Sequence, residues 1–263
     1  MTRSLDDDLL PHHGEPIDPV AMARKDLKTS LPKRFWKEVT LGPHEAGRFT
    51  IFLDGRPART PARKVLGFED EALATMLRQE WADIAEVIDP AQMPLTRLIN
   101  SALDGVSEQI DAVQADAGRY AASDLLFYRA EHSEKLVERQ SASWDPLLNW
   151  VLQRYGARFV TGSGVMFVTQ PPEAVDLLRK AVAQVSNPLP LAALHGLTTL
   201  TGSLVLALAL AESRCSLAEI WALAHLDEDF QMEIWGQDEE ALLRRAQRFR
   251  EAQAAASLLK CTF

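Results

Sequence analysis

The chain has 263 residues, 47% of them hydrophobic, which is enough to bury one large core or two modest ones without covalent staples. Its net charge of -9 argues against nucleic acid or an anionic membrane as the main partner, since either calls for a basic patch. Cys215 and Cys261 lie far apart with no metal-ligand spacing, and the opening Met-Thr-Arg-Ser-Leu-Asp-Asp-Asp is neither a secretory signal nor an acid-poor transit peptide, so a reducing, cytoplasmic setting is expected.

Residues 1–31 carry the Asp6-Asp7-Asp8 run, three prolines and no sustained periodicity, and read as a mobile tail. Ordered structure is expected from Phe35 to Leu41 and from Arg48 to Leu53, where Asp54-Gly55 signals a two-residue hairpin into Arg56–Thr60. Pro57 cannot donate to a ladder, so the third strand either is an edge or holds Pro57 at a non-bonding position. Leu73, Leu77, Trp81, Ile84 and Ile88 recur at spacings of three and four, predicting an amphipathic helix over 69–88 that ends at Asp89-Pro90. Pro94 opens a second helix, and Ser107 is placed to cap a third.

Beyond residue 130 the pattern is mostly helical. Ser133 caps one helix, Trp144-Asp145-Pro146 opens another that stops at Gly156, and Arg158–Thr169 interrupts with β-branched and aromatic runs around a glycine turn, predicting a hairpin or extended crossing segment. Helices follow over 173–185, 189–212, 216–226, part of 227–240, and 238–259. Leu191 to Ala211 contains no charged residue and is long enough to span a bilayer, yet His195, Thr198, Thr199, Thr201 and Ser203 are spread through it; it reads as one buried central helix, with no membrane insertion. Strands first and helices after gives an α+β class: a small N-terminal α+β domain (32–130) and a C-terminal helical bundle (131–263) with a short hairpin near 158–169.

Signals for chemistry are weak. The six histidines show no metal-site spacing, and His225 with Asp227, Glu228 and Asp229 lacks the central glycine of a calcium loop. No nucleophile elbow and no phosphate loop is present, so neither catalytic residue nor cofactor is assigned. The unusual stretch is Asp227–Glu240, in which acids alternate with Phe230, Ile234 and Trp235. Those apolar groups can face the core while the acids are solvated, or they can anchor an interface that the carboxylates orient towards a basic partner. A small-molecule enzyme using these carboxylates is the alternative.

Several blocks in order carry a resemblance: Lys33-Arg34-Phe35-Trp36-Lys37, Leu53-Asp54-Gly55-Arg56 with Thr60-Pro61, Glu80-Trp81, Met93-Pro94-Leu95-Thr96, Asp124-Leu125-Leu126 with Tyr128-Arg129-Ala130, Trp144-Asp145-Pro146, and Asp227-Glu228 through Phe230-Gln231 to Trp235-Gly236. They resemble the ATP synthase assembly chaperones that in mitochondria escort the alpha subunit of the catalytic head, here as a bacterial relative. The resemblance implies a β-rich N-terminal domain, an orthogonal helical bundle, no catalytic activity, and the ATP synthase alpha subunit as partner of a chain that is a monomer when free. It also marks Glu240, with Asp238 and Glu239 beside it, as functionally important; Phe230, Glu233 and Trp235 complete the expected partner-binding set.

Overall fold

A computed structural model describes residues 31–164 and 166–262, so the tail expected over 1–31 lies, apart from Leu31, outside the described residues. The fold is α+β: a small N-terminal sheet with a covering helix leads into a helical bundle. β1 (Val39–His44) and β2 (Gly47–Leu53) pair antiparallel, with Val39 opposite Leu53 and Leu41 opposite Ile51. The short β3 (Arg56–Pro57) and β4 (Gly67–Phe68) share the other edge of β2, which puts Pro57 on a marginal strand as its missing N–H requires. Asp54 and Gly55 both have positive φ, 48° and 78°, and the Asp54 carboxylate accepts from the backbone N–H of Lys37 (3.0 Å) and Glu38 (2.9 Å). The first strand therefore begins at Val39 rather than Phe35, and Trp36 instead packs its ring on Trp81, centroids 5.0 Å apart.

α1 (Glu71–Ala82) starts on the Asp70 cap and turns Leu73, Ala74, Leu77 and Trp81 inward over β1 and β2. It does not run on to Ile88. The segment 84–89 forms a separate compact unit with the described residues up to Phe35, in which Arg34 N–H donates to Glu86 O and Ile88 N–H to Pro32 O, each at 2.8 Å. That pairing satisfies the backbone which the helix would otherwise have carried. Residues 36–83 and 90 onward form the other unit.

α2 (Pro94–Asp104) has no cap from its own Met93. Glu80 of α1 supplies one, accepting from Leu95 N and Thr96 N at 2.8 Å and from the Thr96 hydroxyl, while its burial raises the carboxyl pKa. α3 (Ile110–Arg119) starts after a 3₁₀ turn at Val106–Glu108, so Ser107 is no cap; its hydroxyl donates back to Leu103 O at 2.6 Å. α4 (Glu134–Tyr155) is one helix of 22 residues, capped by Ser133 and closed by Gly156 at φ 75°. The expected break at Pro146 is absent because the carbonyl it leaves without an i+4 donor belongs to Ala142, which is exposed to water. The glycine turn near 158–169 contributes β6 (Gly162–Ser163), which pairs in parallel with the distant β5 (Tyr128–Arg129) rather than closing on itself.

The remaining helices are α5 (Pro172–Ala183), α6 (Pro188–Thr201), α7 (Leu204–Ala211), α8 (Leu217–Ala224), α9 (Leu226–Trp235) and α10 (Glu239–Thr262). The uncharged segment is buried as expected but is two helices: Gly202 takes φ 68°, and the Ser203 hydroxyl caps α7 by accepting from Leu206 N at 3.0 Å. Its polar residues are satisfied locally, since the buried Thr198 and Thr201 hydroxyls donate to Leu194 O and Leu197 O. α6 lies against α2, α3, α7 and α10, in which Ala252 and Ala255 are buried. Among the described residues no helix is long and apolar enough to cross a membrane.

Asp124 is fully buried and joins two parts of the chain: one carboxylate oxygen accepts from Leu126 N (3.1 Å), the other from Val205 N (3.0 Å) at the start of α7. Burial pushes its pKa up from 3.8 to about 6.

Two stability predictions follow from this core. Leu206 is fully buried, so Leu206→Ala should lower unfolding free energy by about 2–5 kcal/mol in urea titrations. For Asp124 the folded pKa exceeds the unfolded one, so the native state holds more protons between pH 4 and 6 and the associated stability is present below the lower value and lost as pH rises through about 6. The stability difference between wild type and Asp124→Asn should therefore shift in favour of wild type as pH is lowered from 7 to 5; a pH-independent difference would contradict the assignment.

Candidate functional site

α9 and α10 form a hairpin whose acids have separate tasks. His225, buried at the C-terminus of α8, donates from Nδ1 to Trp221 O at 2.8 Å and leaves Nε2 3.8 Å from Glu228; burial lowers its pKa. Asp227, Glu228 and Asp229 follow in the first turn of α9, where the helix dipole favours negative charge. Asp227 accepts from Gln140 Nε2 (2.7 Å), and Gln140 Oε1 accepts from Ala130 N (2.8 Å), tying α9 through α4 to the residue after β5. Asp229 pairs with Arg245 of α10. Glu233 takes a bidentate contact from Arg139 of α4 at 2.7 and 2.9 Å, which holds its carboxyl below the usual range. The same guanidinium lies 5.1 Å from the ring centroid of Phe230, so this half-buried ring is covered by a cation rather than by the core.

At the tip, Gly236 adopts φ 90°, ψ 175°, a conformation essentially restricted to glycine, and Asp238 caps α10 by accepting from Glu240 N at 2.9 Å. Glu239 and Glu240 are exposed in the first turn, and Glu240 pairs with Arg244 at 2.5 Å. Trp235 is 84% exposed, with Ile234 at 56% and Leu243 at 72%. A cleft of about 480 Å³ between the helices is bordered by Met232, Trp235, Leu242, Arg244, Arg245 and Arg248.

The structure thus brings Trp235, Asp238, Glu239 and Glu240 together at the hairpin tip, and sets Phe230 and Glu233 on the α4-facing side under Arg139. Sequence reasoning missed Arg139, whose partner lies 94 positions away and leaves no periodic signal, and the exposed Leu243. Asp227 accepts from an amide, Asp229 and Glu233 are held in ion pairs and Asp238 caps a helix, an arrangement suited to recognition more than to proton transfer. Among the described residues no group of three His, Cys, Asp or Glu is placed to hold a metal ion.

Comparison with known proteins bears on this arrangement. The sequence model of the family described as ATP12 chaperone protein matches residues 33–152. The crystal structure of a candidate chaperone from Agrobacterium tumefaciens is 48% identical with a TM-score of 0.84, over 95% of this chain and 93% of that one. Atp12 from Paracoccus denitrificans is 42% identical with a TM-score of 0.80, over 88% of this chain and 99% of that one. Identity at this level over nearly whole chains, on a shared fold, means that this chain belongs to the ATP12 chaperone family.

Proposed function

We propose that this chaperone acts in ATP synthase assembly by binding the unassembled alpha subunit and shielding it from aggregation until it pairs with beta. Family membership supports the assembly role. The observation that carries the binding site is Trp235, a large apolar side chain held almost fully in water at a glycine-made turn and rimmed by Asp238, Glu239 and Glu240. Exposed aromatic area surrounded by like charge is costly to keep in a free protein and productive once covered by an apolar surface with basic groups around it. Phe230 and Glu233 extend the contact along α9. A free alpha subunit presents such a surface, because its assembled neighbours are absent. The protein works by binding, without catalysis or cofactor, as a monomer in the cytoplasm where the alpha subunit is made.

Glu240 separates recognition from stability. Its pair with Arg244 is exposed on both sides and contributes little to folding. Co-expression with the alpha subunit should raise the soluble alpha yield and co-purify the two. Glu240→Lys and Trp235→Ala should each leave the melting temperature within error of wild type yet reduce co-purified alpha by about tenfold, the loss of one good contact, while Glu240→Gln loses less because it adds no repulsion. Equal recovery by wild type and Glu240→Lys at matched levels would remove the hairpin tip from the site.

Gly236→Ala isolates the turn. Nothing lies within 4 Å of an added Cβ, so any effect comes from backbone strain of about 1–3 kcal/mol. The expected outcome is weakened alpha capture with a nearly unchanged core, read by amide exchange that speeds up around the turn and not in α6 or α7.

A further inference from the structure

Between α4 and α5 the chain makes a loop whose backbone is held at several points. At its base the buried side-chain amide of Gln170 pairs with Val160 as a neighbouring strand would, accepting from Val160 N at 2.9 Å and donating to Val160 O at 2.8 Å. Phe159 stacks on the buried Phe127, centroids 4.5 Å apart. Further along, β6 pairs with β5, Gly164 N donates to Arg129 O at 2.9 Å, and the Ser163 hydroxyl donates to Ala130 O at 3.3 Å. The loop also folds back on itself: a Cβ on Gly162 would lie 2.1 Å from Val168 Cγ2, so only glycine fits.

Anchored on either side, the loop presents Met166 and Phe167, 76% and 65% exposed, with Val160 at 47%. A connector between two helices needs neither the Gln170 clamp nor large apolar side chains in water. Ordered presentation of such groups lowers the entropy cost of covering them and marks a contact surface.

The position and charge of the loop identify what covers it. Ser163 bonds Ala130, Ala130 bonds Gln140, and Gln140 bonds Asp227, so three consecutive hydrogen bonds lead from the loop to the first turn of α9. The loop is therefore linked to the acidic helix through Gln140 in the N-terminal half of α4. Beside the loop stands one exposed carboxylate, Glu131, 3.6 Å from His132, and the loop itself carries the exposed Arg158, so its apolar groups are bordered by both signs of charge. The net charge of -9 disfavours an anionic lipid surface and a second copy of the chain alike. An apolar protein surface rimmed by basic groups fits.

We infer that Val160, Met166 and Phe167 form a second contact for the client already assigned to the α9–α10 hairpin, so that the alpha subunit is held at two apolar points linked through α4. This rests on the reading of the chain as an alpha-subunit chaperone. Met166 and Phe167 supply buried area, and Glu131 faces the basic rim of the client surface.

The test measures the affinity of purified full-length chaperone for purified alpha subunit in four forms: wild type, the double variant Met166→Ser with Phe167→Ser, Phe167→Leu, and Glu240→Lys. The double variant should keep the wild-type melting temperature and sedimentation coefficient and weaken alpha binding by about tenfold or more, Phe167→Leu should retain most of the affinity, and alpha should protect Met166 of the wild type from peroxide oxidation. Unchanged affinity in the double variant alongside weakened binding by Glu240→Lys overturns the second contact and leaves the hairpin reading intact. No binding by wild type overturns that reading and this inference with it. A shift of the double variant's oligomeric state with alpha affinity unchanged, or loss of wild-type binding to phosphatidylglycerol vesicles as the only effect, overturns the inference by assigning the loop to a second copy or to lipid.

Discussion

The segment Asp124–Ala130 is the point on which the helical part depends, because its polar groups are buried and each is satisfied by a different element. Asp124 holds the start of α7, and its cost in desolvation is offset by backbone donors that would otherwise be orphaned at a buried helix terminus. Arg129 lies with its guanidinium 5.0 Å from the Trp144 ring centroid, donates to Leu126 O at 2.6 Å, and pairs with Asp145 at 2.7 Å, which fixes the middle of α4. Ala130 reaches α9 through Gln140. Removing one member strands buried partners rather than deleting a single contact, so the network acts as a unit.

This accounts for the kind of residue that carries the family resemblance. Glu80 caps the helix opened by Pro94-Leu95-Thr96, Trp36 packs on Trp81, Asp54 closes the hairpin onto Lys37 and Glu38, and Thr60 donates to Asp104 at 2.7 Å. Most of these blocks are joints between elements, made by a polar side chain that satisfies another element's backbone or by one ring packed on another. The hairpin tip differs. Trp235 and Leu243 stay largely in water, and on the proposed reading their role is binding.

What was legible in the sequence divides along the same line. Local rules worked where the determinant is local: Asp54-Gly55 marked its turn, Ser133 its cap, Gly156 its helix end, and the α+β order followed from strands preceding helices. They failed where a distant partner decides. Residues 84–88 carry the helical period of α1 but leave it for the backbone of 32–34, and Pro146 sits inside α4 because its freed carbonyl can reach water. Gly202 splits an apolar run in which periodicity could see only burial. At the site, the acids and Trp235 were visible as an odd composition, whereas Arg139 and Gln140 come beside α9 only through tertiary pairing.

The distribution of charge also bears on release. On the proposed reading, Glu233 and Asp229 are already neutralised by Arg139 and Arg245, so a client's basic groups gain most from the acids left at the tip, where Glu240 shares only an exposed arginine. Contacts of that kind speed encounter and orient the partner more than they slow dissociation. The apolar anchors are few and sit at protruding tips, not in a deep groove. A subunit surface built for permanent assembly is larger and more apolar than such a footprint, so the beta subunit can take the alpha surface by mass action, and no nucleotide-driven step is needed to open the chaperone.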